Sequence, residues 1–314
     1  MKVLISGGLG HIGSSLIREL PKYLNNLEIV IVDNMLTQRY SSLFHLPCIG
    51  DFNFIEGDIK CLDIDEVLDD IDVVIHLAAI TDAAGSFEKA KEVEENNFKS
   101  TEKLVEACTR KKAKLITLSS TSVYGTQKDQ VDENCPKDDL QPQSPYAETK
   151  LKEESLVREW VINHGLESIT LRFGTIFGAS RGMRFHTAVN KFCWQASLGK
   201  PITVWRTALN QKRPYLDLLD ATSAIVHIIQ NNLFDGELYN VVTKNATVQD
   251  IIDEISLVHS NLEIEYVDNK IMNQLSYNVS SEKFRNTGFE VRGSLRRGIR
   301  ETLDLLKQSC SLKD

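Results

Sequence analysis

Lys2-Val3-Leu4-Ile5-Ser6-Gly7-Gly8-Leu9-Gly10-His11-Ile12-Gly13 is a short apolar run that empties directly into glycines, and Leu16, Ile17, Leu20 and Leu24 follow it at helical spacing. Strand, glycine turn and helix in that order is the context in which a glycine motif points to a bound dinucleotide. Two registers are open. Gly8, Gly10 and Gly13 satisfy G-x-G-x-x-G, and Gly7, Gly10 and Gly13 satisfy the looser G-x-x-G-x-x-G. In either, the missing Cβ atoms let backbone N–H groups and the positive end of the helix approach a pyrophosphate. His11 and Ile12 belong to the same turn, where the His11 ring reads as part of the helix start rather than as a ligand.

The next apolar run, residues 28–32, ends in Asp33, twenty residues after Gly13. That is the usual offset of the acid that binds the adenosine ribose hydroxyls, and its carboxylate repels a 2′-phosphate, so NAD is expected over NADP. Arg39 is the nearby group that could meet such a phosphate. A third strand at 52–55 precedes Asp58 and Ile59, expected beside the adenine, and a fourth at 72–77 ends in the small residues Ala78 and Ala79. A long helix is expected over 86–111, and a fifth strand at 114–119 delivers Ser119, Ser120, Thr121 and Ser122 to the carboxyl edge of the sheet. Ligands bind at that edge in open α/β sheets. A sixth strand spans 168–173.

Six strands alternating with helices predict an α/β fold, a Rossmann-type doubly wound parallel sheet. Beyond Gly174 the alternation weakens. Short strands at 202–204, 215–218 and 238–241 and helices at 219–230, 248–259 and 295–306 predict a smaller interleaved C-terminal substrate lobe. The division expected is 1–173 for dinucleotide binding, with 213–231 returning to it, and 174–212 plus 232–314 for the lobe.

Tyr146 and Lys150 are the candidate acid–base pair. Ser144 suits an N-cap and Pro145 the first helical position, so the two lie early in a helix and, at i and i+4, on one face. An ammonium beside a phenol favours phenolate and is expected to lower the Tyr pKa from its usual value of about 10, toward what a general base needs.

The 314 residues suffice for a sizeable core. A formal net charge of −8 argues against nucleic acid as a partner. No apolar run approaches the roughly 18 residues of a membrane span and residues 1–15 do not read as a signal peptide, so no membrane association and a cytoplasmic location are expected. The six cysteines (Cys48, Cys61, Cys108, Cys135, Cys193 and Cys310) form no C-x-x-C pair and read as reduced structural thiols, with no metal site.

The glycine turn, Asp33, His76-Leu77-Ala78-Ala79, Ser119-Ser120, Val123-Tyr124-Gly125, Tyr146-x-x-x-Lys150 and Leu171-Arg172-Phe173 follow one another at matched intervals over essentially the whole chain. Together they resemble the extended short-chain dehydrogenase/reductases, specifically the NAD-dependent nucleotide-sugar epimerase/dehydratase family. That resemblance implies Tyr146 as the base, Lys150 as the ligand of the nicotinamide ribose and Ser120 as hydrogen-bond partner of the reacting oxygen. It also implies cofactor contacts from Asn34, Leu77, Asn97 and Phe173. A nucleoside-diphosphate sugar would be bound by Thr81, Ser120, Thr121, Thr175, Arg184, Asn190, Trp205 and Arg213. Of these, Arg213 would take the diphosphate, since a guanidinium pairs with phosphate oxygens. A homodimer through the helices at 86–111 and 144–164 is implied as well.

The chain also departs from that family. Its 4,6-dehydratases carry Asp and Glu in the two positions after the catalytic hydroxyl; here they are Thr121 and Ser122. A hydroxyl is a poor acid or base for carbon chemistry near neutral pH, so elimination and C3/C5 epimerisation are disfavoured. Hydride transfer at a carbinol remains, most simply C4 epimerisation. A one-way 4-oxidase or 4-ketoreductase is the alternative, and a non-catalytic dinucleotide-binding regulator the rival outside enzymes. Thr175 replaces a common Asn and Pro214 a common Asp. Lys270 and Arg285 are candidates, without a motif, for a second diphosphate ligand. Cations and aromatics over 181–213, among them Arg184 and Trp205, suggest a lid.

Overall fold

A computed structural model describes residues 1–81, 87–125, 130–136, 138, 140–259, 262–268 and 276–307. The chain runs β1 (Lys2–Ser6), α1 (His11–Tyr23), β2 (Glu28–Asp33), β3 (Asp51–Glu56), α2 (Ile64–Val67), β4 (Val73–His76), α3 (Ala90–Lys111), β5 (Lys114–Ser120), β6 (Gln130–Val131) and α4 (Pro145–His164). It continues through β7 (Ser168–Phe173), β8 (Thr175–Phe177), α5 (Ala188–Ser197), β9 (Ile202–Trp205), β10 (Arg213–Asp217), α6 (Leu218–Gln230), β11 (Leu238–Val241) and β12 (Lys244–Ala246). Last come α7 (Val248–Ser256), β13 (Ile264–Val267), β14 (Asn278–Val279), α8 (Glu282–Arg285) and α9 (Leu295–Lys307).

The central sheet is parallel and has seven strands in the order β11-β7-β5-β4-β1-β2-β3. Its inner strands bury both faces, as parallel strands under two helical layers must. Val3 and Ile5 pack with Leu16, Ile17 and Ile225 on one side. Leu4 packs with Val74, Leu104 and Leu115 on the other. The strand order turns between β1 and β4, the switch point where such sheets open a crevice.

The six expected strands are all in this sheet; the seventh, β11, is a correction. The division at 232 gave residues 238–241 to the lobe, yet β11 pairs along β7 from Leu238 with Thr170 to Val241 with Phe173. Conversely, β10 does not return to the large sheet. It pairs with β8 and β12 in a three-stranded sheet, while α6 packs on α1. The lobe has its own core, in which Phe177, Phe192, Tyr215, Ile251 and Ile299 meet.

Local chemistry sets the helix that matters most. Ser144 Oγ accepts from Ala147 N at 3.2 Å, Pro145 occupies the first turn, and Gly165 ends α4 at φ 70°. The expected helix at 86–111 is seen from Ala90, and Ser86 lies outside the described residues. No described helix is long and apolar enough to cross a membrane.

Candidate active site

A cleft of about 650 Å³ lies along the carboxyl ends of β1, β2, β4, β5 and β7. Gly7, Gly10 and Gly13 line it and Gly8 does not, which selects the G-x-x-G-x-x-G register. Each glycine has a local reason. A Cβ on Gly7, held at φ +69°, would stand 2.6 Å from Ala78 N, and one on Gly13 would stand 2.5 Å from Gly8 O. The turn is pinned by Gly7 N donating to Val32 O at 2.7 Å. At the end of β2, Asp33 accepts from Leu9 N at 3.1 Å and from Met35 N at 3.0 Å, so it braces the turn and also borders the cleft. Asn34, Arg39, Asp58 and Ile59 stand at the same end. His11 lines the cleft as well, but its Nε2 lies 2.8 Å from Gly178 O, and burial pushes its pKa down to about 4. The ring joins the two lobes of the fold as neutral imidazole.

At the other end stand Leu77, Ala78, Ala79, Thr81, Ser120, Tyr146, Lys150, Phe173, Thr175 and Arg184. The Lys150 ammonium lies 5.9 Å from the centre of the Tyr146 ring. The expected lowering of the Tyr146 pKa is corrected here. Burial raises it and outweighs the opposing pull of Lys150, because desolvating a phenolate costs more than one partly neutralised cation returns. Lys150 itself loses solvation, but Glu153 and Tyr146 hold its pKa above the usual lysine value. Ser120 Oγ accepts from Ser122 N at 3.2 Å and from Ser122 Oγ at 2.9 Å, which leaves the Ser120 proton to donate into the cleft.

Several expected residues stand outside the lining. Thr121 turns away to donate to Phe173 O at 3.2 Å. Asn97 clamps the backbone of Ile80, accepting from its N at 2.8 Å and donating to its O at 3.0 Å, while Asn96 faces the cleft. Asn190 is fully buried, donating to Arg184 O and accepting from Gly178 N, so it shapes the loop that carries Arg184. Trp205 is exposed at the end of β9, and Arg213 stacks on Tyr277, its guanidinium 5.7 Å from the ring centre. The structure does not bring these two to the cleft. Arg285 is exposed on α8, and Lys270 lies outside the described residues.

Sequence reasoning passed over His186 and Thr187 and gave His76 and Ser122 only as motif positions, though all four line the cleft. His76 is buried beside Ser6, its Nδ1 2.7 Å from Ser6 Oγ, and burial followed by the Lys150 charge takes its pKa to about 3. Its place at the very end of β4 was the available signal. Beneath the site, Arg172 donates to both oxygens of Glu154 (2.8 and 2.6 Å) and to Tyr124 OH at 2.9 Å. Ser119 Oγ donates to Glu154 at 2.5 Å. This buried network fixes α4 against β5 and β7.

The glycine cradle, the acid at the end of β2 and the Tyr146–Lys150 pair fit NAD. Comparison with known proteins agrees. The chain is 30% identical over 324 residues to a trifunctional UDP-glucose 4,6-dehydratase/UDP-4-keto-6-deoxy-D-glucose 3,5-epimerase/UDP-4-keto-L-rhamnose-reductase of Arabidopsis thaliana, covering 98% of this chain and 47% of that protein. It thus spans about half the length of the plant relatives it matches. It is 28% identical to a dTDP-D-glucose 4,6-dehydratase of Bos taurus, over 98% of this chain and 89% of that one. Its structure is similar to that of UDP-glucuronic acid 4-epimerase from Bacillus cereus in complex with UDP-glucuronic acid and NAD, at a TM-score of 0.89 and 28% identity, covering 98% of this chain and 100% of that one. The model of the NAD dependent epimerase/dehydratase family matches residues 3–241, and the chain belongs to that family.

Proposed function

We propose that the protein is an NAD-dependent C4 epimerase of a UDP-sugar. The observation that carries this reading is the distribution of acids in the cleft. Asp33 and Asp58, at the adenosine end, are its carboxylates among the described residues, while the sugar end offers the hydroxyls of Ser120, Ser122 and Thr175. Elimination of water needs a carboxylic acid or base near the sugar; oxidation and re-reduction of one carbinol does not. The UDP moiety is supported by the likeness to the Bacillus cereus 4-epimerase.

When bound, NAD supplies the acceptor and then the donor of a hydride at C4. On this reading Tyr146 takes the C4 hydroxyl proton and returns it to the other epimer. Lys150 holds the charge beside the phenol. Ser120 donates to the C4 oxygen as it becomes a carbonyl. Arg184, whose guanidinium bonds Thr81 Oγ1, faces the sugar and diphosphate. Pairing of two chains through α3 and α4 belongs to the same reading, supported by a shallow surface groove there in which Phe98, Leu151 and Leu156 alternate with Lys152, Ser155 and Glu159. Light scattering on an eluting chromatographic peak tests it, and a monomer mass refutes it.

The test of the reaction is to incubate the purified protein with UDP-glucuronic acid and with UDP-glucose, without added cofactor, and to separate the C4 epimers. Interconversion that Tyr146→Phe abolishes is the expected result. A 4-keto sugar formed at no more than one equivalent per chain, and accumulating only once NAD is added, would instead identify a one-way oxidase. Bound NAD without turnover of any UDP-sugar would favour a dinucleotide-binding regulator.

A further inference from the structure

Glu153 stands three residues beyond Lys150 on α4, so their side chains share a face of the helix. Glu153 Oε2 lies 2.7 Å from Lys150 Nζ, with the two side chains 7% and 6% exposed. The other oxygen, Oε1, is buried without a hydrogen-bond partner among the described residues. From α4 the cleft is lined by Tyr146 and Lys150 and not by Glu153, so the carboxylate backs the ammonium from the protein side. A buried acceptor with half its bonding unmet is costly to keep, which points to a role beyond packing.

We infer that Glu153 is a positioning residue for proton transfer, holding the Lys150 ammonium in place behind the cleft and offsetting part of the charge it presents to the Tyr146 phenol. This rests on the reading of Tyr146 as the proton acceptor. The other groups around the pair do not do the same work. Glu154, the next residue on α4, is held by Arg172 of β7 and Ser119 of β5. His76 at the end of β4 is bonded to Ser6 and kept neutral. Arg184, from the segment after β8, adds a positive charge that acts on Tyr146 in the same direction as Lys150. Glu154 adds a weaker pull on the ammonium, but Glu153 is the carboxylate hydrogen-bonded to Lys150, and it acts on Tyr146 in the direction opposite to Lys150.

Glu153→Gln keeps the size and an acceptor for Lys150 while removing the charge. The acid limb of the rate profile, where Tyr146 loses its proton, should then move down by about one pH unit, the scale of a neighbouring charge on a pKa. Glu153→Asp, which keeps the charge, should hold that limb near the wild-type position. An unmoved limb in Glu153→Gln, or an equal shift in Glu153→Asp, overturns the inference. The same comparison made by ultraviolet difference titration of the phenol, with Tyr146→Phe as the blank, needs no substrate. Failure of the epimerase reading therefore remains distinguishable from failure of this one.

Discussion

Gly7 and Ala78, from the ends of two neighbouring strands, approach so closely that a Cβ on Gly7 would stand 2.6 Å from Ala78 N and 2.7 Å from Ala78 Cα. Gly7 also sits at φ +69°. Gly7→Ala therefore meets a backbone cost of about 1–2 kcal/mol for the left-handed conformation, and a collision with backbone that cannot swing aside. The expected outcome is loss of NAD affinity by at least about 100-fold with a lower melting temperature, measured by calorimetric titration and thermal melting. Unchanged affinity would show that the turn does not face the cofactor.

If Asp33 meets the adenosine ribose, it sets the choice between NAD and NADP. Replacing it with Ser removes the charge opposed to a 2′-phosphate and leaves Arg39 at the same end of the cleft. The ratio of NAD to NADP affinity should fall by about two orders of magnitude, as expected for a desolvated charge contact. Fluorescence titration with NADH and NADPH reads the ratio. Because Leu9 N loses its acceptor, a small loss of stability accompanies the change.

Ser120 and Ser122 should separate cleanly. Ser120→Ala deletes the donor aimed into the cleft and is expected to lower kcat about 100-fold with little effect on KM, the scale of one lost transition-state donor. Ser122→Ala removes one bond to Ser120, that from its Oγ, and should cost less than about 10-fold. Steady-state kinetics on the UDP-sugar identified as substrate checks the order; equal losses would mean that Ser122 also meets the substrate.

The Arg172–Glu154 pair is buried, with side chains 4% and 9% exposed. Glu154→Gln leaves a guanidinium without its counter-charge and should destabilise the fold by about 3–5 kcal/mol, the cost of breaking a buried pair from one side. The denaturant midpoint measures it. Arg172→Met with Glu154→Leu should recover much of that loss.

Two buried histidines make the fold sensitive to acid. His11 titrates at about 4 and His76 at about 3 in the folded chain, against about 6.5 when unfolded. Below 6.5 the unfolded chain binds the extra protons, so stability falls as pH falls through the range between 6.5 and these values. At pH 5 each contributes a loss of about 2 kcal/mol relative to pH 7.5. Thermal melting across this range should show the slope, and His76→Asn should flatten part of it.

Much of this site was legible in the residues because its signals are local. The glycine turn, the acid at the end of the second strand and the Tyr146–Lys150 interval are spacings within one strand–turn–helix unit or one helical turn. What escaped depends on distant segments. The place of β11 is set by pairing with β7 across the whole lobe, and no local pattern separates an edge strand of one sheet from a strand of another. The sequence puts a cation beside Tyr146, but how far the phenol is desolvated is decided by every element packed around it. Thr121 and Ser122 looked alike as hydroxyls, yet only Ser122 lines the cleft, since the turn after β5 sends Thr121 back toward β7.

The seventh strand also imposes an order of events on the nascent chain. The outer edge of β7, from Ser168 to Phe173, is complete long before Leu238–Val241 has been made, and until then its unpaired N–H and C=O groups are an open template for any other extended segment. The residues between must settle, α6 against α1 and the rest into the small lobe, or at least stay clear, before that edge is closed. Such late, long-range closure is slow and exposed to aggregation. A chaperone that shields the strand end during synthesis would protect this protein at the step where its folding is most exposed to competition.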